Sequence, residues 1–112
     1  MRMRTLVSAA ALAAATAVPA TTLVAPANAA TTRTWNRLAQ CESGGRWHIN
    51  TPNGYYGGLQ ISSSTWHGFG GGRYAKIPSR ASKAQQIKVA KRIKHAQGWG
   101  AWPTCSRRIG VR

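Results

Sequence analysis

Helical hydrophobic periodicity is clearest in the last third of the chain. From Ser82 to Gln97, apolar residues recur at intervals of three and four, a pattern typical of an amphipathic helix. Ser82 and Gln85 have the spacing of a capping box, and Gly98 is a stop signal. The pattern therefore predicts a helix from near Ser82 to about Gln97, the longest helix predicted after residue 29. Its predicted apolar stripe comprises Ile87, Val89, Ala90, Ile93 and Ala96.

Three shorter elements are predicted before this helix. Capping residues, a turn signal and glycine runs mark where they begin and end. The first is a helix at about 35–41, capped by Thr34 and stopped at Gly44-Gly45. The second is a short extended segment at 55–61, which follows the Asn53-Gly54 turn. The third is a helix that is capped at 62–64 and continues to Phe69. The pattern predicts several short helices with a minimal extended element.

The first 29 residues have the pattern of a secretory signal peptide. Two arginines precede an alanine-rich apolar run at 6–18, and Ala27-Asn28-Ala29 gives a small-residue cleavage signature. A retained membrane helix is the alternative, although two prolines interrupt the segment. We expect export, no stable membrane insertion after cleavage, and a secreted, extracellular protein. The expected organisation is a signal peptide at 1–29, a linker at 30–33, one domain at 34–105 and a basic tail at 106–112.

Charge composition restricts the chemistry more than any other feature. The chain has 16 Lys and Arg against one acidic residue, Glu42, and a formal charge of +15. This excludes schemes that need two protein carboxylates, and most hard-cation sites built from oxygen ligands. No nucleic-acid motif accompanies the charge, so we expect no nucleic-acid partner. The cations suit an anionic cell envelope, with a solvated helix face as the alternative. On the longest predicted helix the cationic face comprises Lys88, Lys91, Arg92 and His95.

Two cysteines, Cys41 and Cys105, allow one intramolecular pairing. An exported chain meets an oxidising environment in which paired cysteines persist. The alternatives are two free thiols or a metal site with the histidines at 48, 67 and 95, but no metal-ligand spacing supports a metal. We expect a disulfide that stabilises the fold by roughly 4 kcal/mol, and no metal or cofactor.

Glu42 lies where a carboxyl group tends to keep its proton. The partial negative charge at a helix C-terminus and desolvation by aromatic neighbours both raise the pKa of a carboxyl group, while the net positive charge lowers it. A surface glutamate paired with an arginine is the alternative. Aromatic rings beside amides and hydroxyls suit a sugar, although about half of the tryptophans are expected in the core. The candidate sugar contacts are Trp47, Tyr55, Tyr56, Trp66, Trp99 and Trp102, with Asn53, Gln60 and Thr65.

Several recognisable motifs follow one another in order along residues 34–105. They are Cys41-Glu42-Ser43-Gly44-Gly45, Asn53-Gly54-Tyr55-Tyr56-Gly57-Gly58-Leu59-Gln60, Ser64-Thr65-Trp66, Gln85-Gln86-Ile87 and Gln97-Gly98-Trp99-Gly100-Ala101-Trp102-Pro103 followed by Cys105. Together they resemble the resuscitation-promoting factor domain, of the transglycosylase-like family of actinobacterial cell-wall enzymes. The resemblance implies a small lysozyme-like α+β fold that cleaves the β-1,4 bond between N-acetylmuramic acid and N-acetylglucosamine. It implies Glu42 as the catalytic acid, Tyr55, Gln60 and Thr65 beside the sugar, and the Cys41–Cys105 bridge.

The single carboxylate and the resemblance together favour one chemical hypothesis. Glu42 protonates the glycosidic oxygen, the substrate's own N-acetyl group stabilises the developing cation, and Glu42 then acts as a base. Gln60 and Thr65 orient the sugar or the attacking group. We expect a monomer that acts on peptidoglycan strands in wall remodelling and resuscitation, with a cell-wall endopeptidase as a candidate partner. The alternatives are a non-catalytic wall-binding or signalling module that recruits another lytic enzyme, and a cationic membrane-active protein.

Overall fold

The computed structural model describes residues 18–112, and side-chain surroundings from Thr31 onward. The basic start of the predicted signal peptide and most of its apolar run lie outside the described residues. Residues Thr34–Arg112 form a compact unit by themselves. Within the described part of the chain, no helix combines the length and apolarity that crossing a membrane requires.

The described chain contains helices and one small antiparallel sheet. The two strands are paired in the register Tyr55↔Ser62 and Tyr56↔Ile61. In chain order the elements are helix α1 (Val18–Ser43), strands β1 (Tyr55–Tyr56) and β2 (Ile61–Ser62), helix α2 (Ser63–Gly68), 3-10 turns at Gly71–Arg73 and Pro78–Arg80, helix α3 (Lys83–Gln97), a 3-10 turn at Trp99–Ala101, and helix α4 (Pro103–Arg108). This is the small lysozyme-like α+β fold that was predicted.

Helix α3 confirms the strongest periodicity in the sequence. Ser82 caps it with both reciprocal hydrogen bonds of the capping box, and the chain leaves the helix at Gly98. Val89, Ala90 and Ile93 are buried as predicted. Ala96 is exposed, so its place in the stripe was wrong. The buried face also includes Gln86, one helical turn before Val89 and Ala90.

Three boundaries differ from the predictions. Helix α1 begins at Val18 and not after a Thr34 cap, because the alanine-rich residues before Thr34 favour helix, and α1 is therefore longer than α3. The extended segment is a hairpin and not one strand, since positive φ angles at Gly57 and Gln60 reverse the chain between β1 and β2. Part of the predicted tail belongs to α4, where Pro103 occupies the first turn and does not prevent helix formation.

The core lies between α1, α2, α3 and the segment that precedes α4. Trp35 packs against Trp99 and Trp102 with ring centroids 5.0 and 5.5 Å apart. The predicted disulfide is confirmed, because Cys41 near the end of α1 is bonded to Cys105 in α4. The bridge fixes the end of α1, which carries Glu42, beside the start of α4. The buried apolar residues are Trp35, Leu38, Ala39, Leu59, Ile61, Trp66, Ala81, Val89, Ala90, Ile93, Trp102 and Cys105.

Candidate functional site

A polar and aromatic cleft runs past the hairpin between the ends of α1 and α3. It comprises two adjoining pockets of about 270 and about 90 Å³ that share four lining residues. The shared residues are Tyr55, Gln60, Ala101 and Trp102. The larger pocket adds Glu42 and Pro103, and the smaller adds Ile61, Ser62, Thr65, Ile93 and Gln97. One continuous surface therefore connects Glu42 with polar side chains of the hairpin, α2 and α3.

Glu42 lies in the last turn of α1 and is half-buried in the larger pocket. Burial raises the pKa of its carboxyl group above the ordinary glutamate value, because desolvation disfavours the charged form. The predicted direction is confirmed, and burial is its cause. Glu42 is thus a carboxyl group suited to holding a proton inside a cleft.

Ser43, next to Glu42, joins the end of α1 to the hairpin. Its buried hydroxyl lies 2.9 Å from the carbonyl oxygen of Gly58 and 3.1 Å from that of Ala39, and it accepts a hydrogen bond from the amide of Arg46 at 3.1 Å. These contacts fix the backbone of Glu42 relative to the turn that carries Gln60.

Gln60 forms the opposite wall of the cleft and has an unusual backbone. Its φ is 53°, in the left-handed region that non-glycine residues rarely adopt and that recurs at functional sites. Its side-chain amide donates to the carbonyl of Gly57 at 3.1 Å and accepts from the Asn53 amide at 3.3 Å. Asn53 in turn accepts from the backbone amide of Tyr55 at 3.0 Å. Asn53, predicted as a sugar contact, lies outside the lining of the cleft and orients Tyr55 and Gln60 instead.

Gln86 supports the same turn, a role that was not predicted although its motif was noticed in the sequence. Its side chain is fully buried, accepts from the Gly58 amide at 3.0 Å, and donates to the carbonyls of Trp47 and Ala81 at 2.8 and 3.0 Å. A Cβ atom at Gly58 would overlap the Trp47 ring, so only glycine fits between these groups. The hairpin turn is therefore held by Ser43 on one side and by Gln86 on the other.

Replacing Gln86 with leucine is expected to lower the free energy of unfolding by about 3 kcal/mol. The substitution leaves one amide and two carbonyl groups without their partner in a buried environment. Urea denaturation followed by tryptophan fluorescence measures the change. The matched control is Gln97→Leu, at an exposed position of the same helix, where we expect a change within about 0.5 kcal/mol. Equal effects of the two variants would contradict the assigned role.

The tryptophans divide between core and cleft in a way that the sequence does not reveal. Trp66, predicted as a sugar contact, is fully buried in the core, and its indole donates to the carbonyl of Ala75 at 2.8 Å, so it lies outside the lining of the cleft. Its neighbour Thr65 does line the cleft. Trp102 lines both pockets with a small exposed edge, and its indole donates to the Leu59 carbonyl at 2.9 Å. Trp47 packs over Gly58, outside the lining.

Sequence reasoning missed part of the lining. Gln97, at the end of α3, contributes an exposed amide beside Thr65, and Ala101 and Pro103 form the wall opposite the hairpin. Their motif was noticed, but no spacing rule brings the residues after α3 next to Gln60. Among the described residues, no cluster of His, Cys, Asp or Glu could hold a metal ion.

The raised pKa of Glu42 predicts a pH-dependent cost in stability. The folded protein keeps the proton at pH values where the unfolded chain has lost it, so stability falls as the pH rises from about 4.3 through the folded pKa, and stays lower above it. We expect Glu42→Gln to be more stable than the wild type at pH 7, with the difference shrinking as the pH falls from the folded pKa through about 4.3. Urea denaturation of both proteins across this range measures it, and a difference independent of pH would contradict the prediction.

Comparison with known families assigns the chain to one of them. The family model of the transglycosylase-like domain matches residues 29–105. The chain belongs to the transglycosylase-like family. Within that family, the chain carries a resuscitation-promoting factor domain. It is 56% identical over 93 residues to resuscitation-promoting factor Rpf1 of Corynebacterium glutamicum, covering 82% of this chain and 48% of that protein. It is also 56% identical over 87 residues to resuscitation-promoting factor Rpf of Micrococcus luteus, covering 78% and 38%.

The transglycosylase-like match includes every residue that lines the cleft. It extends from before Glu42 to Cys105 and so contains both halves of the disulfide. The matched segment spans about half or less of these two curated relatives. What the relatives share with this chain is therefore the domain that builds the cleft.

Proposed function

We propose that the domain cleaves the β-1,4 bond between N-acetylmuramic acid and N-acetylglucosamine in peptidoglycan, with Glu42 as its single acid and base. The observation that carries the proposal is a half-buried carboxyl group with a raised pKa, in a cleft that also presents Tyr55, Gln60 and Thr65. Membership of the transglycosylase-like family supports the same chemistry.

In the proposed first step, Glu42 donates its proton to the glycosidic oxygen and the bond from that oxygen to the anomeric carbon breaks. A protein nucleophile at about 5–5.5 Å, or a second base at about 6.5–9.5 Å, would require another carboxylate. Since the chain has one acidic residue, the carbonyl oxygen of the substrate's N-acetyl group stabilises the positive anomeric carbon. Glu42, now a carboxylate, then removes the proton of the hydroxyl that attacks this carbon. The attacking group is the muramic 6-hydroxyl or a water.

The polar residues of the cleft supply sugar recognition in this proposal. The amide of Gln60 uses one donor on Gly57 and one acceptor position on Asn53, so a second N–H and a second lone pair remain for a sugar hydroxyl or N-acetyl group. The Tyr55 ring is about half exposed and suits the apolar face of a pyranose. At the smaller pocket, the polar side chains of Thr65 and Gln97 are the hydrogen-bonding groups offered to the sugar.

The proposed setting is the cell wall outside the membrane. The signal-peptide pattern at 1–29 supports export, and the names of the relatives support a role in resuscitation. Membership of the transglycosylase-like family supports a role in wall remodelling. We propose that the domain acts as a monomer on glycan strands. A cell-wall endopeptidase, which cuts the peptide crosslinks that glycan cleavage leaves intact, is the candidate partner.

Mass analysis of fragments released from purified peptidoglycan tests the proposed reaction. We expect fragments that end in muramic acid, and a mass lower by one water wherever the 6-hydroxyl rather than water is the attacking group. Fragments whose new reducing end is N-acetylglucosamine, or released peptides alone, would contradict the assigned bond. Glycan binding with no released fragment would favour the non-catalytic module instead.

A further inference from the structure

A second groove, separate from the cleft, lies along another side of α3. Its volume is about 510 Å³, and it shares no lining residue with the cleft. On α3, Ile93 of the cleft is about 140° around the helix axis from Lys88 of the groove. The two sites can therefore be occupied at the same time. The groove is lined by Tyr74, Ala84, Gln85, Ile87, Lys88 and Lys91.

The surface of this groove combines an apolar base with polar edges. Tyr74 and Ile87 are half-buried and present a ring and an aliphatic side chain. The side-chain oxygen of Gln85 accepts from the Ser82 amide at 3.0 Å, which leaves its nitrogen as a donor. A ring beside amide donors suits a polyhydroxylated ligand, whose C–H faces pack on the ring while its hydroxyls bind the donors.

The two lysines give the groove its charge. Lys88 and Lys91 are exposed and lie one helical turn apart, with Cβ atoms about 5–6 Å from each other. The chain's one acidic side chain, Glu42, lines the cleft, so no carboxylate side chain neutralises either ammonium group. The neighbouring Arg92, by contrast, donates to the Phe69 carbonyl at 3.0 Å. The groove therefore presents two cations without a protein counterion.

We propose that this groove binds an anionic wall polymer in which sugars or polyols are joined by phosphodiesters. A lysine ammonium is a compact point charge that binds a phosphate from any direction, and no arginine lines the groove to offer the fork that pairs with planar carboxylates as well as with phosphates. Tyr74 and Ile87 contact the carbon skeleton between phosphates. Such binding holds the domain on the wall while the cleft acts on a separate strand, and it does not depend on cleavage.

Calorimetric titration of the full chain with soluble poly(glycerol phosphate) in 0.15 M salt tests the proposal. Lys88→Gln combined with Lys91→Gln should weaken binding about tenfold, with α3 intact because glutamine is a good helix former. The control, Arg107→Gln with Arg108→Gln, removes the same charge from exposed positions of α4 and should weaken binding less than about twofold. Tyr74→Leu keeps every charge and should weaken binding about threefold.

Three results would overturn the proposal. Equal losses in the two double variants would mean that net charge alone attracts the polymer. Polygalacturonate binding as tightly as the phosphate polymer would assign the groove to carboxylates. The absence of measurable binding by the wild type would remove the site. Because the titration measures binding to a polymer that the cleft does not cleave, each result is independent of the proposed reaction.

Discussion

Replacing Glu42 with glutamine should lower the rate of peptidoglycan cleavage by about a thousandfold. Glutamine keeps the size of the side chain but cannot donate a proton to the glycosidic oxygen, and general acid–base groups contribute about 10²–10⁴ in rate. No second acidic side chain exists in the chain to replace it. Release of soluble fragments from purified peptidoglycan measures the rate. Binding of the glycan should survive, because the rest of the cleft is unchanged.

The matched control for this variant is Asn36→Lys. It changes the net charge in the same direction and by the same amount, at an exposed position of the same helix α1 outside the cleft. We expect cleavage by this control to stay within about twofold of the wild type, since surface charge acts on activity mainly through screened long-range fields. A Glu42→Gln protein that cleaves as fast as Asn36→Lys would refute the assigned role of the carboxyl group.

Removal of the disulfide should lower the free energy of unfolding by roughly 4 kcal/mol. The bond between Cys41 and Cys105 closes a loop of 64 residues, and constraint of the unfolded chain increases with loop length. A domain of this size is stabilised by only a few kcal/mol from its core, so much of the protein should unfold at 37 °C. Urea denaturation of the Cys41→Ala, Cys105→Ala double variant measures the loss.

The wild type treated with reductant is the control for this measurement. The reduced protein keeps both cysteine side chains and loses only the bond. Its stability therefore reports the effect of the crosslink without the loss of side-chain volume that the alanine substitutions cause. We expect the reduced protein and the double variant to unfold at similar urea concentrations. A reduced protein as stable as the oxidised one would show that the bond contributes nothing to the fold.

Local patterns predicted those parts of the fold whose causes are local. The capping box of Ser82 and Gln85 and the buried stripe of α3 depend on residues three or four positions apart, and both were recognised. The disulfide was recognised because two cysteines allow one pairing. The hairpin was read as one strand because the left-handed backbone of Gln60 leaves no signal in the residue type. The predicted N-terminal boundary of α1 was wrong because a threonine that can cap a helix can also lie inside one when helix-favouring residues precede it.

The cleft was harder to predict because its contacts are distant in sequence. Trp66 and Trp102 are both tryptophans in recognisable motifs, yet one is fully buried and the other lines the cleft. Burial depends on which elements pack together, and this packing cannot be predicted from the pattern of residue types alone. Gln86 illustrates the same limit, since two of the three groups that it binds lie 28 and 39 positions away.

Glu42 can be observed alone, because it is the chain's one acidic side chain. Selective ¹³C labelling of glutamate gives a single side-chain carboxyl resonance, and its chemical shift followed against pH yields the pKa of the proposed proton donor directly. We expect a midpoint above the ordinary glutamate value of about 4.3, because the cleft disfavours the charged form. A midpoint at or below that value would mean a carboxylate already ionised when the glycan binds, and would contradict Glu42 as the acid.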